Sequence, residues 1–288
     1  MIHTRNSSHM YTTLIDCTTL AQHLADPDWL ILDCRFNLAD TAYGERVYAQ
    51  GHIPTAHYLH LDHDLSSPIT PQSGRHPLPD VNTLGAKLRS IGLKSSSQVV
   101  AYDDCGGAMA VRAWWLLRWL GHEAVAVLDG GFPAWQQQQG MLETATPPVV
   151  LPGDFQPRLQ AGFTVTTAQL LAATHDWQVV DARAPERFRG EKEPIDPVAG
   201  RIPGAVNRPL TDNLMSNGLF KAAQQLRTEW ESVLAGVESV QVVHMCGSGV
   251  TACHNLLAME IAGLMGSRLY PGSWSEWIRD PARPVATG

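Results

Sequence analysis

Short apolar runs alternate with longer segments of helical period along most of the chain. The runs are rich in β-branched residues and predict strands over 29–33, 98–102, 124–128, 177–181, 240–245 and 267–270. Apolar residues recur at helical spacing over 110–120 and 252–264. Strands that alternate with helices predict the α/β class, in which helices cover a parallel sheet.

The pattern of the first half returns in the second half, in the same order, about one domain length further on. Residues 29–35, 51–56 and 130–135 match residues 177–183, 200–205 and 272–277. Prolines 147, 148, 152 and 157 lie close together between the halves, a composition typical of linkers. We therefore predict two tandem α/β domains, over 10–141 and 163–288, joined by a linker over 142–162.

Composition indicates a soluble globular protein, because 44% of the 288 residues are hydrophobic and 17% are charged. The net charge of −7 argues against nucleic acid or an anionic membrane as a partner. No apolar run approaches the roughly 18 residues of a membrane span. Residues 1–9 differ in character from the rest of the chain, and we expect the native chain to start at Met10. We also expect a monomer.

The cysteines are odd in number, widely spaced and without a Cys-x-x-Cys pair. They are Cys17, Cys34, Cys105, Cys246 and Cys253. This spacing argues against a disulfide framework and against a structural zinc site. It predicts a reducing compartment, and hence the cytoplasm.

Cys246 lies in the run His-Met-Cys-Gly-Ser-Gly-Val-Thr-Ala-Cys, residues 244–253, between a predicted strand and a predicted helix. Gly247 and Gly249 permit a tight loop that turns several N–H groups toward one point at a helix N-terminus. A sulfur at that point would be held as thiolate, the nucleophilic form. Cysteine is also a common buried apolar residue at strand ends. Local chemistry alone leaves both interpretations open, although a core position needs neither Ser248 nor Thr251.

The first half provides an internal comparison for this loop. Its corresponding run, 101–110, places Asp103 or Asp104 opposite Cys246, depending on the end from which the residues are counted. Cys105 is out of register with the candidate nucleophile. A carboxylate would repel an anionic sulfur donor, so we expect the first domain to be catalytically silent.

The chain resembles the tandem-domain sulfurtransferases, the family of rhodanese and 3-mercaptopyruvate sulfurtransferase, from about residue 10 to 285. The resemblance rests on the Cys246 loop, residues 272–277, Asp181-Ala182-Arg183 and the Ile-Pro pairs at 53–54 and 202–203. It implies two rhodanese-like α/β domains, with the active site in the second domain facing the interface.

The resemblance also implies the reaction. The Cys246 thiolate would take sulfur from a small-molecule donor, hold it as a persulfide and pass it to cyanide or a thiol such as thioredoxin, with no metal or organic cofactor. Backbone N–H groups of Gly247, Gly249, Val250 and Thr251 would hold the sulfur and the substrate, an arrangement of the oxyanion-hole kind. The hydroxyls of Ser248 and Thr251 could add hydrogen bonds. A simple helix cap is the alternative for Thr251.

The donor is predicted from the loop and from arginines. In the family a Gly-Ser loop, here Gly247-Ser248, accompanies mercaptopyruvate, and an Arg-Lys loop accompanies thiosulfate. Arg187 matches the first arginine that binds the mercaptopyruvate carboxylate. The second family arginine lies about nine residues on, where this chain has Ile195 or Asp196. We therefore predict 3-mercaptopyruvate as the donor, with release of pyruvate, and thiosulfate as the main donor stays the alternative.

Further candidates come from the same resemblance. Arg75 and Arg201 are the arginines that could compensate for Ile195. His52, in the His-Ile-Pro motif, would work with Ser248 and an aspartate, loosely Asp40, in a proton relay; a structural histidine is the alternative. Arg75 and His76 lie in a polar loop that either reaches the cleft or is simply solvated.

Other residues have structural interpretations. Asp33 and Asp181 should stabilise strand ends, with Arg183 as the ion-pair partner of Asp181. Phe36 walls the pocket or packs in the core, and Cys253 is a buried thiol in preference to a resolving cysteine. Trp114, Trp115 and Trp119 should pack in the first core or at the domain interface.

Two other functional classes are less well supported. A phosphatase on this fold needs Cys-x5-Arg, and the sixth residue after Cys246 is Ala252. A binding module without turnover would not need the intact cysteine loop.

Overall fold

The computed structural model describes residues 10–147, 151–173 and 176–288. The strands are β1 (Leu14–Ile15), β2 (Trp29–Asp33), β3 (His57–Tyr58), β4 (Gln98–Tyr102), β5 (Val125–Leu128), β6 (Gln178–Asp181), β7 (Val206–Asn207), β8 (Val242–Met245) and β9 (Arg268–Leu269). The helices are α1 (Cys17–Gln22), α2 (Tyr43–Gln50), α3 (Val81–Ser90), α4 (Ala110–Trp119), α5 (Gly131–Gln137), α6 (Thr167–Ala172), α7 (Pro185–Phe188), α8 (Ala223–Leu234), α9 (Ala252–Ile261) and α10 (Ser273–Trp277). Short 3₁₀ helices span Leu210–Asn213 and Ser239–Gln241.

Two separate parallel sheets form the framework. The first has the order β1-β5-β4-β2-β3 and the second the order β7-β6-β8-β9. The central pairs correspond, since β2 pairs with β4 in the first sheet and β6 pairs with β8 in the second. The predicted fold class, two α/β domains with helix-flanked parallel sheets, is confirmed.

The predicted elements begin and end close to the observed ones, and the differences have local causes. Strands β2 and β4 have the predicted bounds. Strand β8 begins at Val242 because residues 239–241 form a 3₁₀ turn closed by the Gln241 N–H and the Glu238 carbonyl. Helix α9 ends at Ile261, shortly before Gly263 at φ +73°. The apolar pattern continues to Leu264 because that side chain still packs against the core.

One buried hydrophobic cluster contains residues of both domains, and each domain has a further cluster of its own. Trp114 and Trp115 of α4 belong to the same buried cluster as Cys253, Leu256 and Leu257 of α9. Trp119 is partly buried against that cluster. The tryptophans therefore pack as predicted. Through this core, the loop before α9 lies directly against the first domain.

Buried ion pairs stabilise the chain where β2 and β6 end. The Arg35 guanidinium donates to Asp33 and to the Gly51 carbonyl, and Arg183 makes the same two contacts with Asp181 and the Gly200 carbonyl. The Asp181–Arg183 pair was predicted from the alternation along the strand. Asp181 lies opposite Met245 in the sheet, so the pair lies beside the strand that leads into Cys246.

The described residues of 142–162 contain no helix or strand, and part of this segment follows the first domain. The Gly153 N–H donates to the Arg89 carbonyl and the Phe155 N–H to the Leu93 carbonyl. Within the described ranges, no helix is long and apolar enough to cross a membrane.

Candidate active site

Cys246 directly follows β8, and the chain then turns through 247–251 into α9. The Trp274 N–H donates to the Cys246 carbonyl at 3.0 Å, and the Cys246 N–H donates to Ser273 Oγ at 3.1 Å. The turn requires glycine at 249, where φ is +79° and a Cβ would lie 2.3 Å from the Pro271 carbonyl oxygen. The loop is thereby held rigidly against the chain before α10.

The sulfur of Cys246 accepts a hydrogen bond from the Gly249 N–H at 3.1 Å. The residue is only 1% exposed, yet it lines a cavity of about 190 Å³. Gly247, Ser248, Val250 and Thr251 line the same cavity. Thr251 is the N-cap residue of α9, as its alternative interpretation has it, but its side chain makes no capping hydrogen bond to the helix.

A buried arginine from the first domain supports the loop from beneath. The Arg112 guanidinium donates to the Gly249 carbonyl at 3.0 Å and to the His76 carbonyl at 3.1 Å. Burial lowers the pKa of Arg112, while the nearby Cys253 and Cys246 sulfurs oppose that shift. This contact joins the cysteine loop to the first-domain loop that carries His76.

Ser248 belongs to a chain of hydrogen bonds that crosses the interface. Its Oγ lies 2.7 Å from Nδ1 of His76, and Nε2 of His76 lies 3.1 Å from Oδ1 of Asp62. Burial and the charge of Arg112 lower the pKa of His76 to about 4, so the imidazole is neutral at pH 7. Asp62 then accepts from Nε2–H, and Nδ1 is free to accept from the Ser248 hydroxyl.

His52 and Asp40 are not part of this arrangement, which corrects the predicted relay. His52 is buried elsewhere, stacked on Tyr48 with its Nδ1 2.9 Å from the Tyr48 carbonyl oxygen. Its backbone pairs with Glu143. Asp40 lies on the surface in an ion pair with Arg46. His52 therefore has the structural role given as its alternative, and His76 is the histidine that contacts Ser248.

Arg75 and Arg187 both line the cavity, one from each domain. A Cβ at Gly247 would lie 2.8 Å from Arg75 Nη2 and 3.6 Å from Arg187 Nη2, so both guanidinium groups border the loop. Both also contact carboxylates: Asp196 contacts Arg75 and Arg187, and Glu193 contacts Arg187 at 2.8 Å. Burial raises the pKa of Asp196 despite the neighbouring arginines.

The other two candidates for the pocket lie outside it. Arg201 donates to the Gly288 carbonyl at 2.6 Å and stacks over Phe188, so it does not compensate for Ile195. Phe36 is a buried core residue and is absent from the cavity wall. Ile195, in contrast, lines the cavity.

The first domain holds a carboxylate in the corresponding loop. Asp103 is the counterpart of Cys246, because the Phe132 N–H donates to its carbonyl as Trp274 does to that of Cys246. Its carboxylate accepts from the N–H groups of four residues at 2.7–3.0 Å, namely Cys105, Gly107, Met109 and Ala110. The first-domain loop therefore encloses a carboxylate of its own, and its catalytic silence stays a prediction.

The remaining cysteines near these loops have unreactive surroundings. Cys105 is exposed, yet partial desolvation and the neighbouring aspartates Asp103 and Asp104 raise the pKa of its thiol. Cys253 is fully buried and its thiol contacts the Gly249 carbonyl at 3.6 Å. Burial raises its pKa to about 12. Cys253 is the buried core thiol that was predicted.

Several site residues escaped the sequence analysis. Asp62 carries no local motif, whereas Arg112 lies among the apolar residues of 110–120, a position that signals a buried charge. Glu193 and Asp196 follow Arg187 within nine residues, and this spacing could have indicated that their carboxylates pair with the Arg187 guanidinium. His76 was identified only as part of a loop that could reach the cleft.

Comparison with known proteins identifies the family. The Rhodanese-like domain profile matches residues 16–138 and 164–280. The chain is 51% identical to the "Probable 3-mercaptopyruvate sulfurtransferase" of Pseudomonas aeruginosa, over 96% of this chain and 98% of that protein. It is 40% identical to the "Putative thiosulfate sulfurtransferase SseB" of Mycobacterium tuberculosis, over 90% of each.

A solved structure agrees with these relatives. The 3-mercaptopyruvate sulfurtransferase from Leishmania major superposes with a TM-score of 0.83 at 30% identity, over 94% of this chain and 75% of that one. The chain therefore belongs to the tandem-domain sulfurtransferases, the family of rhodanese and 3-mercaptopyruvate sulfurtransferase, and is an enzyme of that family with two rhodanese-like domains.

Proposed function

We propose that this sulfurtransferase moves sulfur from 3-mercaptopyruvate to a thiol acceptor such as thioredoxin, or to cyanide, through a persulfide on Cys246, and releases pyruvate. The observation that carries the proposal is the uncharged loop around the Cys246 sulfur, bordered by Arg75 and Arg187. The loop itself carries no charged side chain that would bind a thiosulfate dianion at the reacting sulfur. Arginines one step further out suit a carboxylate.

The first half-reaction needs an anionic nucleophile and a proton transfer. The Cys246 thiolate attacks the donor sulfur, the bond between that sulfur and C3 of mercaptopyruvate breaks, and its electron pair remains on the pyruvate enolate. The Gly249 N–H and the buried charge of Arg112 favour negative charge at this position. The same groups then stabilise the persulfide anion.

The hydrogen-bonded chain of Ser248, His76 and Asp62 supplies the proton path. The donor's thiol proton passes to Ser248 and the neutral His76, and from there to C3 of the enolate, which gives pyruvate. Asp62 orients the ring and stabilises the imidazolium while it exists. Sulfur and proton are thus both conserved: the sulfur ends on Cys246 and the proton on carbon.

The second half-reaction returns the enzyme to its starting state. The acceptor thiol attacks the outer sulfur, becomes a persulfide itself and leaves the Cys246 thiolate. We propose that this occurs in the cytoplasm, in keeping with five cysteines that are all free. We also propose that the enzyme is a monomer.

Mass spectrometry and kinetics test the proposal together. After treatment with mercaptopyruvate and no acceptor, the peptide that contains Cys246 should gain one sulfur atom. Cys246→Ser should abolish turnover, while the matched variant Cys105→Ser should retain it. Parallel kcat/KM values should favour mercaptopyruvate over thiosulfate. A higher value for thiosulfate, or sulfur found on another cysteine, would contradict the proposal.

Thiosulfate as the main donor is the second candidate. Two observations favour it: the M. tuberculosis relative is named for thiosulfate, and Asp196 occupies the arginines that a mercaptopyruvate carboxylate would need. The same kinetic comparison decides between the donors.

A further inference from the structure

The Asp196 side chain is placed between two arginines of the cavity. One carboxylate oxygen contacts Nη1 of Arg75, and the other lies 3.1 Å from Nη2 of Arg187. The side chain is only 3% exposed, so these contacts are made almost without water. Asp196 thus links a first-domain arginine to a second-domain arginine, both of which line the cavity.

The positive charge of this wall is compensated from within the protein. The Glu193 carboxylate accepts hydrogen bonds from Nε and Nη2 of Arg187, and the Asp196 carboxylate contacts both Arg187 and Arg75. Arg183 also lines the cavity, where it contacts Glu193 at 3.4 Å and pairs with Asp181. Three guanidinium groups therefore face three carboxylates, and their formal charges sum to zero. A substrate anion that enters the cavity meets a neutral set of groups instead of uncompensated cations.

The carboxylates of Glu193 and Asp196 have different hydrogen-bond donors. Glu193 also accepts from the backbone N–H groups of Ile195 and Asp196, so it fixes the local chain. In the described part of the chain, the hydrogen bonds of the Asp196 carboxylate go to the two guanidinium groups. Asp196 therefore makes, with planar arginines, the contacts that a ligand carboxylate would make.

We propose that Asp196 is a specificity-determining residue, an internal carboxylate that competes with the donor's carboxylate for Arg75 and Arg187. This rests on the proposed function only in taking the donor to be an α-keto acid. Mercaptopyruvate has to displace Asp196 or share the guanidinium groups with it, which raises KM. Pyruvate, which carries the same carboxylate, leaves the site more readily for the same reason.

Binding of pyruvate to Asp196→Asn tests the proposal without depending on turnover. Asparagine has almost the same shape but no charge, so both guanidinium groups become available to the ligand. If the ligand carboxylate regains one charge-assisted hydrogen bond to an arginine, pyruvate should bind about tenfold more tightly, as measured by calorimetry. In steady-state assays KM for mercaptopyruvate should fall by a similar factor with kcat little changed. Asp196→Ser should show the same direction, and Asp196→Glu should resemble the wild type.

Glu191→Gln is the matched control, because it removes one negative charge from the same segment. Glu191 pairs with Arg189 on the surface, and neither residue lines the cavity. Its affinity for pyruvate should equal that of the wild type. Unchanged or weaker pyruvate binding in both Asp196→Asn and Asp196→Ser would overturn the proposal and make Asp196 a brace that positions the arginines. Preference of the wild type for thiosulfate would instead count against the proposed donor, while the pyruvate titrations would still report on Asp196.

Discussion

The histidine that contacts Ser248 should matter far more to turnover than any other buried histidine. We consider His76→Gln, which keeps a side chain able to accept from Ser248 but unable to take up a proton. Nδ1 of His76 is 2.7 Å from Ser248 Oγ, and its Nε2 is 3.1 Å from Asp62. The substitution therefore removes the proton path and leaves Cys246, its Gly249 N–H donor and the arginines of the cavity in place.

The size of the effect follows from the role of a positioned acid or base. Such groups typically contribute 10²–10⁴ in rate, about 3–5 kcal/mol of activation free energy. We expect kcat for pyruvate release to fall by about that factor, while KM for mercaptopyruvate changes little, since Arg75 and Arg187 are untouched. The loss should also appear in the wild type as the pH falls toward 4, because protonated His76 cannot accept from Ser248.

A lactate dehydrogenase-coupled assay measures this step directly, and His52→Gln is the control. His52 is equally buried but stacks on Tyr48 outside the cavity. Its replacement should cost stability and change kcat far less than His76→Gln does, because His52 contacts none of the reacting groups. Equal losses of kcat in the two variants, or a His76→Gln enzyme with normal kcat, would refute the assignment of the relay.

Three further results are expected. Cys105→Ser should leave kcat unchanged in the same assay, since Asp103 and not Cys105 corresponds to Cys246; a large loss in a folded variant would contradict the predicted functional difference between the domains. Gly249→Ala should abolish activity and lower the melting temperature, because the new methyl group meets the Pro271 carbonyl at 2.3 Å and φ is +79°; a normal melting curve would contradict this. Burial lowers the pKa of His244 to about 3 and that of His254 to about 4. The unfolded chain therefore binds more protons as the pH falls from 6.5 toward 4, and each histidine should lower the free energy of unfolding by about 2 kcal/mol at pH 5. Urea titrations measure this, and equal stability at pH 7 and pH 5 would refute it.

Features fixed by local pattern were predictable from the sequence. Strand β2 has its predicted bounds because an apolar run buried on both faces is continuous along the chain. The Asp181–Arg183 pair followed from two residues on one side of a strand. The Cys246 loop was found because its glycines, its serine and the strand before it are neighbours in sequence.

The partners of that loop were not predictable in the same way. His76, Asp62 and Arg112 come from the other domain, more than a hundred residues away, and no periodicity records which loop meets which. The resemblance suggested His52 because its motif is distinctive, whereas the polar loop around His76 looks like ordinary surface. Its burial results from the packing of the two domains against each other.

The first domain supplies groups that the proposed reaction needs. It contributes His76, Asp62, Arg75 and Arg112 to a site whose cysteine loop belongs to the second domain. Under the proposed function the two domains divide the chemistry, because one holds the sulfur and the other provides the proton path and part of the anion site. Deletion of the first domain would then remove catalytic groups as well as a folding partner.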